Sequence, residues 1–136
     1  MKILIVEDDF TSRKFLQIHL SAYGDCCIAV NGLEATEAVK DSILANEPYD
    51  LICLDIMMPE MDGHQALKTI RWLEEQAGIK AGNGAKVIMT TSMSDSKDVI
   101  GAFREGCEAY IAKPVRKEKL VAEMEKLGLI RIGVSL

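Results

Sequence analysis

Along this chain, short continuous apolar runs alternate with segments whose apolar residues recur at helical spacing. Ile3-Leu4-Ile5-Val6, Leu51-Ile52-Cys53-Leu54, Val87-Ile88-Met89 and Ala109-Tyr110-Ile111-Ala112 are such runs, the pattern of strands covered on both faces. Strands are placed at Lys2 to Val6, Cys26 to Val30, Tyr49 to Leu54, Ala85 to Thr91 and Glu108 to Ala112. Phe15, Leu16, His19, Leu20 and Tyr23 mark a first helix, capped by Asp9 and stopped by Gly24. Asn31-Gly32 reads as a turn, after which Ala35, Ala38, Val39 and Ile43 mark a second helix that ends before Pro48. A third starts near Gly63 and carries Ala66, Leu67, Ile70 and Leu73. Ser94 or Asp95 caps the next, with Val99, Ile100 and Phe103 on its face and Gly106 at its end. Lys117 to Leu127 forms the last, with Leu120, Val121, Met124 and Leu127 inward. Strands alternating with helices predict an α/β fold with a parallel sheet. Gly78 to Ala85 is a small-residue connection without periodicity, and the apolar tail from Gly128 to Leu136 fits packing back, an added edge strand or disorder.

The apolar runs share a second property: each ends in polar residues. Glu7-Asp8, Asp55, Thr90-Thr91 and Lys113-Pro114 follow the four runs named above. In an open parallel sheet the carboxyl ends of the strands form the edge where ligands bind. Three acids, a hydroxyl and a lysine would converge there, a set suited to a hard cation and a phosphoryl group. Asp55, after four apolar residues, is placed to aim a partly desolvated carboxylate at a phosphorus atom. Glu7 and Asp8 beside it would repel that charge unless a cation intervened. Magnesium fits, since it takes oxygen ligands and commonly combines one or two carboxylates with phosphate oxygens; manganese shares that preference as a substitute. Lys113 offers an ammonium to the phosphoryl oxygens and Thr91 a hydroxyl donor, and phosphoryl transfer asks little more of a protein.

Composition narrows the picture without changing it. A chain of 136 residues, 49% hydrophobic and 27% charged, is the size of one domain. Its net charge of −5 weighs against direct nucleic-acid binding, which needs a basic surface. No apolar stretch reaches the ~20 residues that span a bilayer, so no membrane insertion is expected. Met1-Lys2-Ile3 enters a strand and then acids, unlike a secretory signal, which places the chain in the cytoplasm. Cys26, Cys27, Cys53 and Cys107 contain no C-x-x-C pair; Cys53 and Cys107 read as small buried hydrophobes. His64 reads as an exposed residue at a helix start, His19 as a neighbour of the core, and Trp72 as a partly buried helix residue. Arg116-Lys117-Glu118-Lys119 sets basic residues at a helix start, against the dipole; ordinary solvation and a partner-binding face explain it equally well.

Taken together, Glu7-Asp8, the run LDIMMPEMDG around Asp55, Thr91-Ser92, Tyr110 and Lys113-Pro114 resemble the receiver domain of bacterial two-component response regulators, of the single-domain chemotaxis type. The resemblance covers residues 1–130 and leaves 131–136 as a short tail with no output domain. It implies a flavodoxin-like, doubly wound fold: a five-stranded parallel sheet in the order 2-1-3-4-5 with helices on both faces. It implies that Asp55 accepts phosphate from a sensor histidine kinase or a histidine phosphotransfer protein. Asp8, Asp55 and the backbone carbonyl of Met57 would hold magnesium, with Glu7 acting through water. Lys113 would pair with the phosphoryl group, Thr91 and Tyr110 would switch with it, and the Lys113-Pro114 bond would be cis. Met57 and Met93 occupy the positions that tune phosphate lifetime, and neither side chain orients water well, so a long-lived aspartyl phosphate is expected. Output would pass through contacts with an unidentified downstream protein or through a phosphorylation-dependent dimer. The implied role is that of a phosphoacceptor signalling protein, not an enzyme that turns over a separate substrate.

Two other classes stay open at this point. A magnesium-dependent phosphatase with an aspartyl intermediate would carry a second acid two residues after the nucleophile, where this chain has Met57. A phosphorylation-independent interaction module would lack some of the acids or the lysine, all of which are present. A dinucleotide-binding role is disfavoured, because Glu7-Asp8-Asp9-Phe10 is anionic and free of glycine.

Overall fold

The apolar runs fold as five strands: β1 Lys2–Val6, β2 Asp25–Ala29, β3 Leu51–Asp55, β4 Lys86–Thr91 and β5 Ala109–Ala112. The computed structural model describes residues 1–58, 60–92, 101 and 106–131. All four pairings are parallel and the order is β2-β1-β3-β4-β5, as the resemblance implies. From β1 the chain steps to one side for β2, then returns across β1 to β3 and continues outward. The connections after β1 and β3 therefore diverge, and a crevice opens at the carboxyl ends of these two strands.

Four helices are described, α1 Phe10–Leu20, α2 Gly32–Leu44, α3 Gly63–Gln76 and α4 Lys117–Lys126. Leu4, Val6, Ile52, Leu54, Val87 and Met89 face α2 and α3, which contribute Ala35, Val39, Ala66, Leu67 and Ile70. Ile3, Ile5, Leu51, Cys53, Ile88 and Ile111 face α1 and α4, which contribute Leu16, Leu20, Leu120 and Met124. Every residue of β3 is buried, which is why its run is unbroken in the sequence.

Several expected boundaries shift. β2 spans Asp25–Ala29, one residue earlier than the sequence pattern places it, and β3 begins at Leu51 and includes Asp55. Asn31 is a helix cap and not only a turn: its side chain accepts from Glu34 N–H at 2.8 Å, and Glu34 accepts from Val30 N–H at 3.0 Å, a reciprocal arrangement. Trp72 is 56% exposed, because it lies two residues from the inward Ile70 and two residues turn a helix by about 200°. His64 is half-buried. The inward position beyond Ile70 falls to Glu74, which is buried. The expected helix with Val99, Ile100 and Phe103, the Met93 position and the last five residues lie outside the described residues.

Glu74 belongs to a brace at the amino ends of the strands. Arg71 donates from Nη1 to Glu74 at 2.7 Å and to the Ala85 carbonyl at 2.9 Å. Its Nη2 reaches the Gly106 carbonyl at 2.7 Å and Glu108 at 3.0 Å, and Nε also donates to Gly106. Ala85 N–H donates to Glu74 and Val87 N–H to Glu108. One guanidinium thus ties α3 to the residues that enter β4 and β5.

Candidate functional site at the carboxyl edge of the sheet

β1 and β3 deliver their terminal acids to the crevice because each strand runs out of apolar residues there. Glu7 follows β1 and Asp55 ends β3; their relative exposures are 0% and 2%, whereas Asp8 is exposed. Glu7 is held in place from the backbone, its N–H donating to the Ala29 carbonyl at 3.1 Å. Arg13 of α1 donates to the carbonyls of Glu7 and Asp8, an anchor with no sequence signature beyond a basic residue one turn into α1.

Behind Asp55 the chain must turn into α3 within a few residues. Asp62 caps α3, accepting from Gln65 N–H at 2.9 Å, and Gly63 N–H donates to the Ile56 carbonyl. A Cβ on Gly63 would lie 2.4 Å from the Asp55 carbonyl oxygen and 2.7 Å from Ile56 Cα, so only glycine permits that approach.

One oxygen from each of Glu7, Asp8 and Asp55 lies within 4.8 Å of the others. That span is close to the ~4 Å between opposite corners of a magnesium octahedron, and three hard anionic oxygens are the donor chemistry that ion prefers. Lys113, which follows β5, enters from the other side. Its Nζ donates to Glu7 Oε1 at 2.6 Å and lies 3.4 Å from Asp55 Oδ2. Burial and the adjacent Glu7 carboxylate push the Asp55 carboxyl up to about 7, against the opposing pull of Lys113. Burial alone would lower the Lys113 ammonium, but its hydrogen bond to Glu7 and the charge of Asp55 outweigh that and hold it above its ordinary value. The cluster thus holds one cation against three acids, and a second cation relieves the excess.

The remaining expected positions fall around this centre. Thr91 ends β4 and is buried; its carbonyl accepts from Lys113 N–H at 2.7 Å. Tyr110 in β5 is half-buried against the α2–α3 core. Met57 is 56% exposed beside the site, and its N–H donates to Asp55 Oδ1 at 3.3 Å. The Lys113-Pro114 peptide is cis.

A family model for the response regulator receiver domain matches residues 3–125. The chain belongs to that family. Receiver domains are phosphoacceptor modules of two-component signalling, and the fold described above is that of a receiver. Among its relatives is a probable transcriptional regulator, ycf29, of Porphyra purpurea, 35% identical over 127 residues, which are 92% of this chain and 55% of that protein. The receiver spans about half the length of such regulators, which also include one of Bacillus subtilis. Among solved structures, a CheY-like receiver domain protein from Methanospirillum hungatei superposes with a TM-score of 0.77 at 28% identity, covering 93% of each chain. The Borrelia burgdorferi CheY, solved in a complex with CheX, BeF3 and magnesium, matches with a TM-score of 0.78 at 26% identity, covering 96% of this chain and 90% of that one.

Proposed function

We propose that Asp55 is the phosphoacceptor of this receiver and that the reaction depends on magnesium. The observation that carries this reading is the meeting of Asp55, Glu7, Asp8 and Lys113 in one cluster, with a single ammonium against three carboxyl groups. A carboxylate oxygen of Asp55 attacks the phosphorus of a phosphohistidine, the new P–O bond forms as the P–N bond breaks, and the imidazole leaves. Lys113 moves from Glu7 to the phosphoryl oxygens. Asp8, Asp55 and the Met57 carbonyl would hold the metal, with Glu7 contributing through water, and magnesium bound there would supply positive charge to offset that of the phosphoryl oxygens. Thr91 and Tyr110 form the switch that reports the new phosphate.

The donor is a sensor histidine kinase or a histidine phosphotransfer protein. A groove of about 540 Å³ opens beside the acceptor, lined by Thr11, Phe15 and Leu16 of α1 and by Lys113, Pro114 and Val115. Its mostly apolar floor gives a donor protein a surface to bury within reach of Asp55. The test is intact-mass analysis after incubation with acetyl phosphate, with and without magnesium, on wild type and Asp55→Ala. A single phosphate adduct that needs magnesium and is lost in the variant supports the reading. An adduct that persists in Asp55→Ala, or forms equally well in EDTA, overturns it.

A further inference from the structure

β2 is an edge strand, and among the described residues β1 is its only neighbour in the sheet. The ladder decides which backbone groups it leaves facing outward. Asp25 N–H donates to the Met1 carbonyl, the Ala29 carbonyl accepts from Glu7 N–H, and the register between them is regular, without a bulge. Asp25, Cys27 and Ala29 therefore turn their N–H and C=O groups towards β1. Cys26 and Ile28, by the alternation of a strand, turn theirs away from it.

Folded proteins protect such an edge with lysine, proline or a bulge. β2 reads Asp25-Cys26-Cys27-Ile28-Ala29 and has none of these devices; its one charge sits at its first residue. Cys27 and Ile28 are exposed, as is Val30 just beyond the strand. Exposed apolar surface gathered at an open edge marks an association site more often than a solvated one.

We propose that this edge binds a second copy of the chain, antiparallel, about a two-fold axis that passes Cys27. The strand is complementary to itself in that register. Cys26 meets Ile28 of the second copy and Ile28 meets its Cys26, and these are the residues whose backbone groups face outward, so both pairs exchange hydrogen bonds. Cys27 meets Cys27 at a non-hydrogen-bonded position, where Cα atoms approach to about 4.5 Å and side chains come closest. Asp25 meets Ala29, so no like charges oppose across the edge. A register displaced by one residue turns the wrong groups towards each other and loses the ladder. The contact is isologous and closes as a dimer.

The geometry provides its own reporter, because a Cα separation near 4.5 Å lies within the range of about 4.4–6.8 Å that a disulfide spans. The experiment uses the full chain, sedimenting it under reducing conditions from micromolar to millimolar concentration and then treating it with diamide. Diamide takes two electrons and two protons from two thiols and becomes a hydrazine as one S–S bond forms. The expected result is a concentration-dependent dimer that diamide traps through Cys27, with trapping lost in Cys27→Ser and kept in Cys26→Ser. Ile28→Pro removes an outward donor without touching the β1 ladder, and Ile28→Lys adds a charge at the same place. Both weaken association by about tenfold or more, as the loss of cross-edge hydrogen bonds or burial of a charge requires. Acetyl phosphate uptake by these variants verifies that they remain folded. A chain monomeric at millimolar concentration overturns the proposal. So does trapping that proceeds equally well in Ile28→Pro and Ile28→Lys, which marks collision of exposed thiols or docking elsewhere.

Discussion

The Asp55 carboxyl, raised to about 7 by burial and by Glu7, starts from about 4 in an unfolded chain. The native protein therefore holds a proton that the unfolded chain releases between those values. Its contribution to stability is fully present below about pH 4 and is lost as pH rises through about 7. In EDTA, Asp55→Asn is accordingly expected to be more stable than wild type at pH 8, by on the order of 1 kcal/mol or more, with the gain shrinking towards pH 5. Urea midpoints at the two pH values check this, and a gain that grows as pH falls contradicts it. The role proposed for Met57 belongs to a later step, loss of the phosphate. Its exposed thioether is a weak acceptor and holds a hydrolytic water poorly. Met57→Asn is expected to shorten the life of the phosphate adduct severalfold, followed as the decay of adduct mass; an unchanged decay removes Met57 from that role.

The Arg71 brace and the α4 amino end make opposite predictions for stability. Arg71→Ala leaves Glu74 buried with its Nη1 partner gone. Loss of one member of a buried charged network is expected to lower stability by about 3 kcal/mol, measured by urea unfolding. Arg116, at the cap position just before α4, makes no side-chain cap hydrogen bond. Arg116→Asp supplies an acceptor and an acid at the positive end of the helix, and is expected to stabilise by roughly 0.5–1 kcal/mol. The same elements show where sequence reasoning succeeds and stops. Strand positions follow from apolar runs because both faces of the sheet are covered, and helix faces follow from spacing. Neither pattern reveals the brace, since Arg71, Glu74 and Glu108 look like surface residues until folding brings them together. Asn31 resembles a turn for a similar reason: its capping role depends on Glu34 reaching back to Val30.

For the molecule as a whole, the sheet gathers residues from positions 7 to 113 at one edge, and anything that binds this edge draws on every strand that ends there. Magnesium is expected to raise the melting temperature, by an increment that keeps growing with the logarithm of its concentration above the dissociation constant. Asp8→Asn should blunt that rise while leaving the metal-free melting temperature nearly unchanged, because Asp8 is exposed; calorimetry with magnesium and with EDTA separates the two. The candidate site could be read from the sequence because strand ends carry its chemistry. Two contacts could not: the resting partner of Lys113, which is Glu7, and the Arg13 anchor, which bonds only to backbone. Gly63 extends this lesson to mutational scanning. It has no side chain to donate, accept or carry charge, yet a methyl group there would strike the carbonyl of Asp55. Gly63→Ala is expected to lower stability by about 1–3 kcal/mol and to disturb phosphate uptake as well. A saturation library scored by signalling alone would thus rank this chemically silent position beside Asp55. Scored by abundance, the two would part: replacements of Asp55 would accumulate as folded, inactive protein, and replacements of Gly63 would be depleted.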